Sequence, residues 1–357
     1  MRVRKVLAGR VSATYGTAKF EPTVLVVKVR ATADLHPIQD LVMASTLIIA
    51  LLWLASCGGT ASPMAVTSTP SPRVLTGQGT TWHVFATADG DVSGLALDGH
   101  GHLYAVEFGN NSIVEFSVQG SVVRHWGATG SAPGQLNQPT RVALDPQGNA
   151  YVTDTGNNRI QKFSPTGEPL AQWGGFGSAP GEFNYPIGIA LDSQGNLYVA
   201  EFLNARIQKL SPAGTPLASW GSQGSAPGQF NGGPAGIALD AEGNVYVSEA
   251  YGSNLVHEFS PRGAFVDRWG GTGSGAGKFN EPRGLAFDNQ GDIYVGDTGN
   301  NRVQRLSAAG QFIAQWQGPS TAPLPEQSYI TMDEKGNLYV SDGQLILRTC
   351  VTSSGCT

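Results

Sequence analysis

Six aspartates, Asp98, Asp145, Asp192, Asp240, Asp288 and Asp333, recur at intervals of 47, 47, 48, 48 and 45 residues, and each closes the first segment of a repeating pattern. The second copy shows it in full: Arg141-Val-Ala-Leu-Asp145, Gly148-Asn-Ala-Tyr-Val-Thr-Asp154, Arg159-Ile-Gln-Lys-Phe163, then Gln172-Trp173-Gly174. Self-similarity at this period marks stacked structural repeats rather than two unrelated domains. Each copy holds four runs rich in Val, Ile, Leu, Tyr and Phe, bounded by Gly, Pro, Asn and Asp, which are the marks of strands and turns. They are named a to d here. The a–b turn has the form Asp192-Ser-Gln-Gly-Asn196 and the c–d turn the form Ser164-Pro-Thr-Gly167, with Gly at the position that needs positive φ. A four-stranded unit cannot cover both its faces alone, so the units must stack, and radial closure is the usual solution. The expected fold is all-β, a six-bladed β-propeller of four-stranded antiparallel blades over residues 81–350.

The tryptophans bear on closure. Strand d carries Trp126, Trp173, Trp220, Trp269 and Trp316, while the sixth copy ends near Cys350 without one. Thr81-Trp82-His83-Val84-Phe85 precedes the first strand a. The sequence therefore predicts that this N-terminal strand completes the last blade, with Trp82 as the missing strand-d tryptophan. Phe183-Asn-Tyr-Pro-Ile-Gly-Ile-Ala-Leu-Asp192, Asp154-Thr-Gly-Asn-Asn-Arg-Ile-Gln-Lys-Phe163 and Asp297-Thr-Gly-Asn-Asn-Arg-Val-Gln-Arg-Leu306 resemble NHL repeats. The resemblance covers 82–350 and weakens only in the sixth copy. It implies a six-bladed propeller used mostly to bind proteins, RNA or small ligands, with a few enzymatic relatives.

Ahead of the repeats lies the uncharged run Leu41–Leu54, ending in Leu54-Ala55-Ser56-Cys57. It is shorter than the about 20 apolar residues of a membrane span and has the length of a secretory h-region. Leu-Ala-Ser-Cys resembles a bacterial lipobox, which implies lipidation of Cys57 after cleavage. Residues 1–56 are expected to be leader, with Met1 to about Asp40 reflecting an over-extended start. Residues 57–80 read as the lipidated Cys and a Ser/Thr/Pro linker, and 351–357 as a tail. The chain is thus expected outside the cytoplasm, anchored to the outer side of the cytoplasmic membrane, or to an outer membrane if present, and monomeric. Removing 1–56 takes 7 of 22 basic and 3 of 27 acidic residues, leaving a charge near −9. That balance argues against nucleic acid, which demands a basic patch. Cys350 and Cys356 are expected to form a small tail disulfide, since disulfides persist in exported chains.

Strand order puts the d–a and b–c loops on one face of the disc and the tight turns on the other. The longer loops make the first the expected binding face. Gly271-Thr-Gly-Ser-Gly-Ala-Gly-Lys278 there is not a phosphate loop, since Thr272 and Phe279 break its spacing. An acid ends strand b in every copy: Glu107, Asp154, Glu201, Glu249, Asp297 and Asp342. A group needed in every blade reads as scaffold, with Arg159 and Arg302 as partners of Asp154 and Asp297. No metal or cofactor is expected, though the ring leaves calcium at the channel open. Function is sought instead where one blade departs from the rest. Thr140-Arg141 replaces x-Gly, and Arg283 fills the x position of its own copy, so two guanidiniums stand near the channel mouth, suited to a carboxylate or phosphate. Phe108, Phe202 and Tyr251 follow the strand-b acids and are expected as an aromatic rim. His83, His100, His102, His125 and His257 all fall away from the axis, which disfavours the His–metal lyase chemistry of enzymatic relatives. The leading expectation is a binding propeller for a protein, peptide or glycan; a lyase, hydrolase or lactonase acting at the channel is the alternative.

Overall fold

The computed structural model describes residues 74–77, 80–318 and 329–351, all within the unit Ser68–Thr357. The leader, Cys57 and Cys356 lie outside the described residues. The chain forms six antiparallel sheets. In blade 2 the strands are a (Pro139–Leu144), b (Ala150–Asp154), c (Arg159–Phe163) and d (Pro169–Gly174), and four other four-stranded sheets repeat this order.

Local chemistry explains the turns. Asp145 Oδ1 accepts from the Gln147 and Asn149 amides at 3.0 and 2.8 Å, and Gly148 takes φ 79° between them. The side chain thus replaces backbone partners while Gly turns the chain. In the c–d turn, Ser164 Oγ accepts from the Thr166 and Glu168 amides. Gly167 is required twice over: its φ is 86°, and a Cβ there would stand 2.8 Å from Trp126 of the preceding blade.

The core is six seams between neighbouring blades rather than one centre. Between blades 1 and 2, Tyr104, Val106 and Ile113 meet Leu136, Val142, Val152 and Phe163, and five similar clusters fill the other seams. Leu136, Phe183, Phe230 and Phe279, from the d–a loops, are fully buried in these seams, so the loops are bolted down by their own apolar residue.

The sixth blade has five strands. Its c strand (Leu345–Cys350) pairs with Thr80–Thr87 from the N-terminal side, and that strand pairs in turn with Val74–Gly77. Val74–Gly77 belongs to the segment expected as linker; here it covers the edge of the strand beside it, which would otherwise present unpaired amides.

The role expected for Trp82 is corrected by the register. In the other blades the strand-d tryptophan faces the second residue of strand c, as Trp173 faces Ile160. In blade 6 that place is held by Ala86, opposite Ile346. The aromatic that takes over the tryptophan's contact is Phe85, whose ring meets Tyr339 edge-on at 5.1 Å, as Trp126 meets Tyr104 at 5.9 Å. Trp82 is instead sealed in the seam of blades 5 and 6 with Tyr294, Val303 and Leu347, its indole N–H donating to the Gln317 carbonyl at 2.8 Å. The physical reason is a short connection: residues 88–91 join this strand to blade 1, where 127–138 join blade 1 to blade 2.

Candidate functional site

Five of the six strand-b acids are engaged by neighbouring donors of the same chain. Asp154 is fully buried; its Oδ1 accepts from the Asn137 amide at 2.7 Å, and its Oδ2 from Arg159 Nε at 2.7 Å and Gln161 Nε2 at 3.0 Å. Arg159 then donates to the Ser131, Ala132 and Gln135 carbonyls of the d–a loop. Glu201 with Arg206 and Asp297 with Arg302 repeat the arrangement. Each carboxylate therefore fixes the loop above it and holds the arginine that fixes the rest.

Two blades use histidine for this purpose. His257 stands where blade 2 has Gln161, and its Nε2 lies 2.9 Å from Glu249 Oε2. His125 lies 2.9 Å from Glu107 Oε2, in a carboxylate that also accepts from Ser112 Oγ and the Gly90 amide. Burial alone would push Glu107 up, but these donors outweigh it and hold the carboxyl down at about 2. The same hydrogen bond raises His125 against the opposing effect of its burial. Asp342, the sixth acid, sits above its ordinary value because it is partly buried. No group of three or more His, Cys, Asp or Glu able to hold a metal ion occurs among the described residues.

Some of the irregular residues gather where strand a meets the d–a and b–c loops. Arg141 and Arg283 are both buried, at 8% exposure. The Arg141 guanidinium carbon lies 3.0 Å from the centre of the Tyr329 ring, and its Nη1 donates to the Ser93 carbonyl at 3.2 Å. Burial pulls Arg141 down to about 10, Tyr329 opposing and Arg283 reinforcing, so it stays cationic at neutral pH. Arg283 donates through Nη2 to the Tyr251 hydroxyl and to Glu281 Oε2, 3.1 Å away. Burial alone would lower it, but Tyr329, Tyr251 and Glu281 together raise it. Among the described residues its Nε is buried with no hydrogen-bond partner. Beside the guanidiniums runs an arc of rings: Tyr185 to Phe202 at 6.2 Å, and Phe202 to Tyr251 at 5.7 Å. Burial raises both Tyr185 and Tyr251, which keeps their hydroxyls protonated as donors.

Tyr251 thus contacts both Arg283 and Phe202, and Arg141 lies near enough to Arg283 for the two charges to interact. Thr140 does not join them: its hydroxyl is engaged by Thr153, Thr155 and the Ile187 carbonyl, tying blade 2 to blade 3. Phe108 makes no ring contact with the arc; its amide donates to the Asp91 carbonyl in the connection leading into blade 1. Tyr185 and Tyr329 were missed. Tyr329 stands four residues before Asp333, where other copies have the strand-a Gly before their Asp, the same kind of departure that singled out Arg141. Cys350 is disulfide-bonded. A cleft of about 500 Å³ lies on the opposite side, by the blade 6 a–b turn residue Asn337, lined also by His83, Trp316 and Arg348. The mouth is the stronger candidate because buried, under-coordinated charge, not open volume, is what a ligand relieves.

Comparison with known proteins agrees with this architecture. The NHL repeat model matches residues 136–163, 183–210 and 279–306. A probable peptidyl-alpha-hydroxyglycine alpha-amidating lyase of Caenorhabditis elegans, pgal-1, is 31% identical over 68 residues, a stretch spanning 17% of this chain and only 19% of that protein. Among solved structures, a streptogramin B lyase matches with TM-score 0.54 and 17% identity, over 76% of this chain and 87% of the other. A gluconolactonase from Xanthomonas campestris matches with TM-score 0.58 and 16% identity, over 82% and 99%. A protein of unknown function from Bacteroides thetaiotaomicron matches with TM-score 0.59 and 17% identity, over 76% of each. At these identities the structures speak for the fold alone.

Proposed function

The chain is an NHL-repeat six-bladed β-propeller, and from that premise we propose that it is a binding module whose d–a/b–c loop face receives a protein, peptide or glycan ligand at the channel mouth. The observation that carries this reading is the arc Tyr185–Phe202–Tyr251 set beside two buried guanidiniums. Rings of this kind offer large contact area at little conformational cost, with hydroxyls to orient a polar ligand. Tyr251 is 42% exposed and so is accessible from solvent. In the same reading the propeller is tethered outside the cytoplasm through lipid on Cys57; mass spectrometry of the mature N-terminus tests that part, and an unmodified chain retaining Met1 defeats it. The binding test is a screen of purified protein on peptide and glycan arrays, repeated with Phe202→Ala and Tyr251→Ala. Loss of the captured ligand class in both variants is expected; undiminished capture places recognition elsewhere.

A second reading, a propeller enzyme, is favoured by the stretch resembling a lyase. Against a histidine–metal version of this reading, His125 and His257 each serve a neighbouring carboxylate. Turnover of a lactone or of a peptidyl-hydroxyglycine substrate by the purified protein would favour this reading over binding alone.

A further inference from the structure

We propose that the channel mouth is a binding site for a singly charged carboxylate, held between Arg141 and Arg283. The proposal deepens the binding reading above and rests on it only for the choice of face. Strand a of each blade passes close to its neighbour at the axis. A Cβ at Gly94, Gly188, Gly236 or Gly284 would stand 2.6, 2.6, 1.9 or 2.7 Å from the backbone of the next blade. Four blades therefore carry no side chain at this level. Blades 2 and 6 do, with Arg141 and Tyr329, and these two fill the space the glycines leave by stacking guanidinium on phenol.

A guanidinium has five N–H donors. Among the described residues Arg141 donates only to the Ser93 carbonyl and has no carboxylate within ion-pair distance, although it is buried. This contrasts with Arg159, Arg206 and Arg302, each of which has its own acid. Arg283 has Glu281 but leaves its Nε unpaired. A buried cation is retained without a counter-charge only at a cost, and an incoming anion removes that cost. Among the described residues, two guanidiniums against the one Glu281 carboxylate leave an excess of one positive charge, which a carboxylate neutralises and a phosphate dianion oversteps. Planar carboxylates also match the guanidinium fork. The arc of rings then lies where the body of the ligand must go, whether that is the C-terminal residue of a peptide or an acidic sugar.

The test is calorimetric titration of the full chain with N-acetyl-phenylalanine, its uncharged amide, glucuronate, glucose and inorganic phosphate. Saturable binding of one of the two carboxylates, absent for its neutral counterpart, is expected, and which one binds identifies the source. Arg141→Met should weaken that binding by at least about tenfold. Equal binding of acid and neutral compound, binding of neither acid, or tighter binding of phosphate overturns the proposal. The unliganded Arg141→Met protein should melt no lower than wild type, because the substitution removes an uncompensated buried charge and keeps most of the stem; a clear fall in melting temperature makes Arg141 a structural residue and also overturns it. If Arg141→Met binds as wild type while Tyr251→Ala does not, the carboxylate site falls and the binding face stands.

Discussion

In blade 1 the carboxylate of Glu107 meets His125, where blades 2, 3 and 5 offer an arginine. The difference is electrostatic, since histidine loses its charge near neutrality and arginine does not. His125 is raised in the folded state, so its contribution is full below the unfolded value of about 6.5 and is lost as pH rises through the folded value. Glu107 is lowered to about 2, so its contribution is present above the unfolded value of about 4.3 and fades as pH falls toward the folded one. The pair therefore stabilises most between about pH 4.5 and 6.5. Melting temperatures from pH 5 to 8 should decline more in wild type than in His125→Gln; parallel curves would show that the pair carries no such dependence. Asp154→Asn probes the arginine version. It leaves the buried Arg159 without its counter-ion, at a cost of about 3–5 kcal/mol by denaturant unfolding, whereas an unchanged midpoint would show that the loop is held by other means.

At the scale of the strand, Trp82 and Phe85 divide between them what one tryptophan does elsewhere. Trp82 is fully buried, and Trp82→Ala should cost about 3–5 kcal/mol. Phe85→Ala should cost a similar amount by opening the seam of blades 6 and 1 to which Phe85 belongs; a fall in stability for only one of the two would mean that the work is not shared. The pairing of Thr80–Thr87 with the last blade was legible in the sequence because an unmatched aromatic strand stood before the first copy. Its register was not, because a count back from Asp98 assumes a connection as long as the others, and strand pairing is set by contacts that a count does not see. The d–a loops illustrate a similar limit. Their length marked them as part of the expected binding face, yet Phe183 plugs a seam and the Asn137 amide binds Asp154. Arg141 and Arg283 were legible as departures from a repeat. Tyr329 was open to the same count, four residues before Asp333 as Arg141 is before Asp145, but its contact with a guanidinium was not, because nothing in the sequence brings blades 2 and 6 together there.

For the whole molecule, stability is distributed over six seams, so damage to one should propagate to its neighbours. Deleting residues 74–87 exposes the edge of Leu345–Cys350 and removes one wall from two seams. The expected product is soluble only transiently and associates through that edge; a deletion variant that remains monomeric by sedimentation with wild-type melting behaviour would show that five blades and a three-stranded sixth suffice. Thr349 donates its hydroxyl to the Thr81 carbonyl at 2.8 Å, across a separation of 268 positions. Contacts this remote in sequence are made last, because the intervening chain must be gathered before they are rewarded. A ribosome releases Thr81 long before it reaches Thr349, so the first strand of the ring waits without its partner through nearly the whole of synthesis. A premature stop anywhere before Leu345 therefore strands an unclosed chain, and the codons for Leu345–Cys350 decide whether the ring made before them can shut.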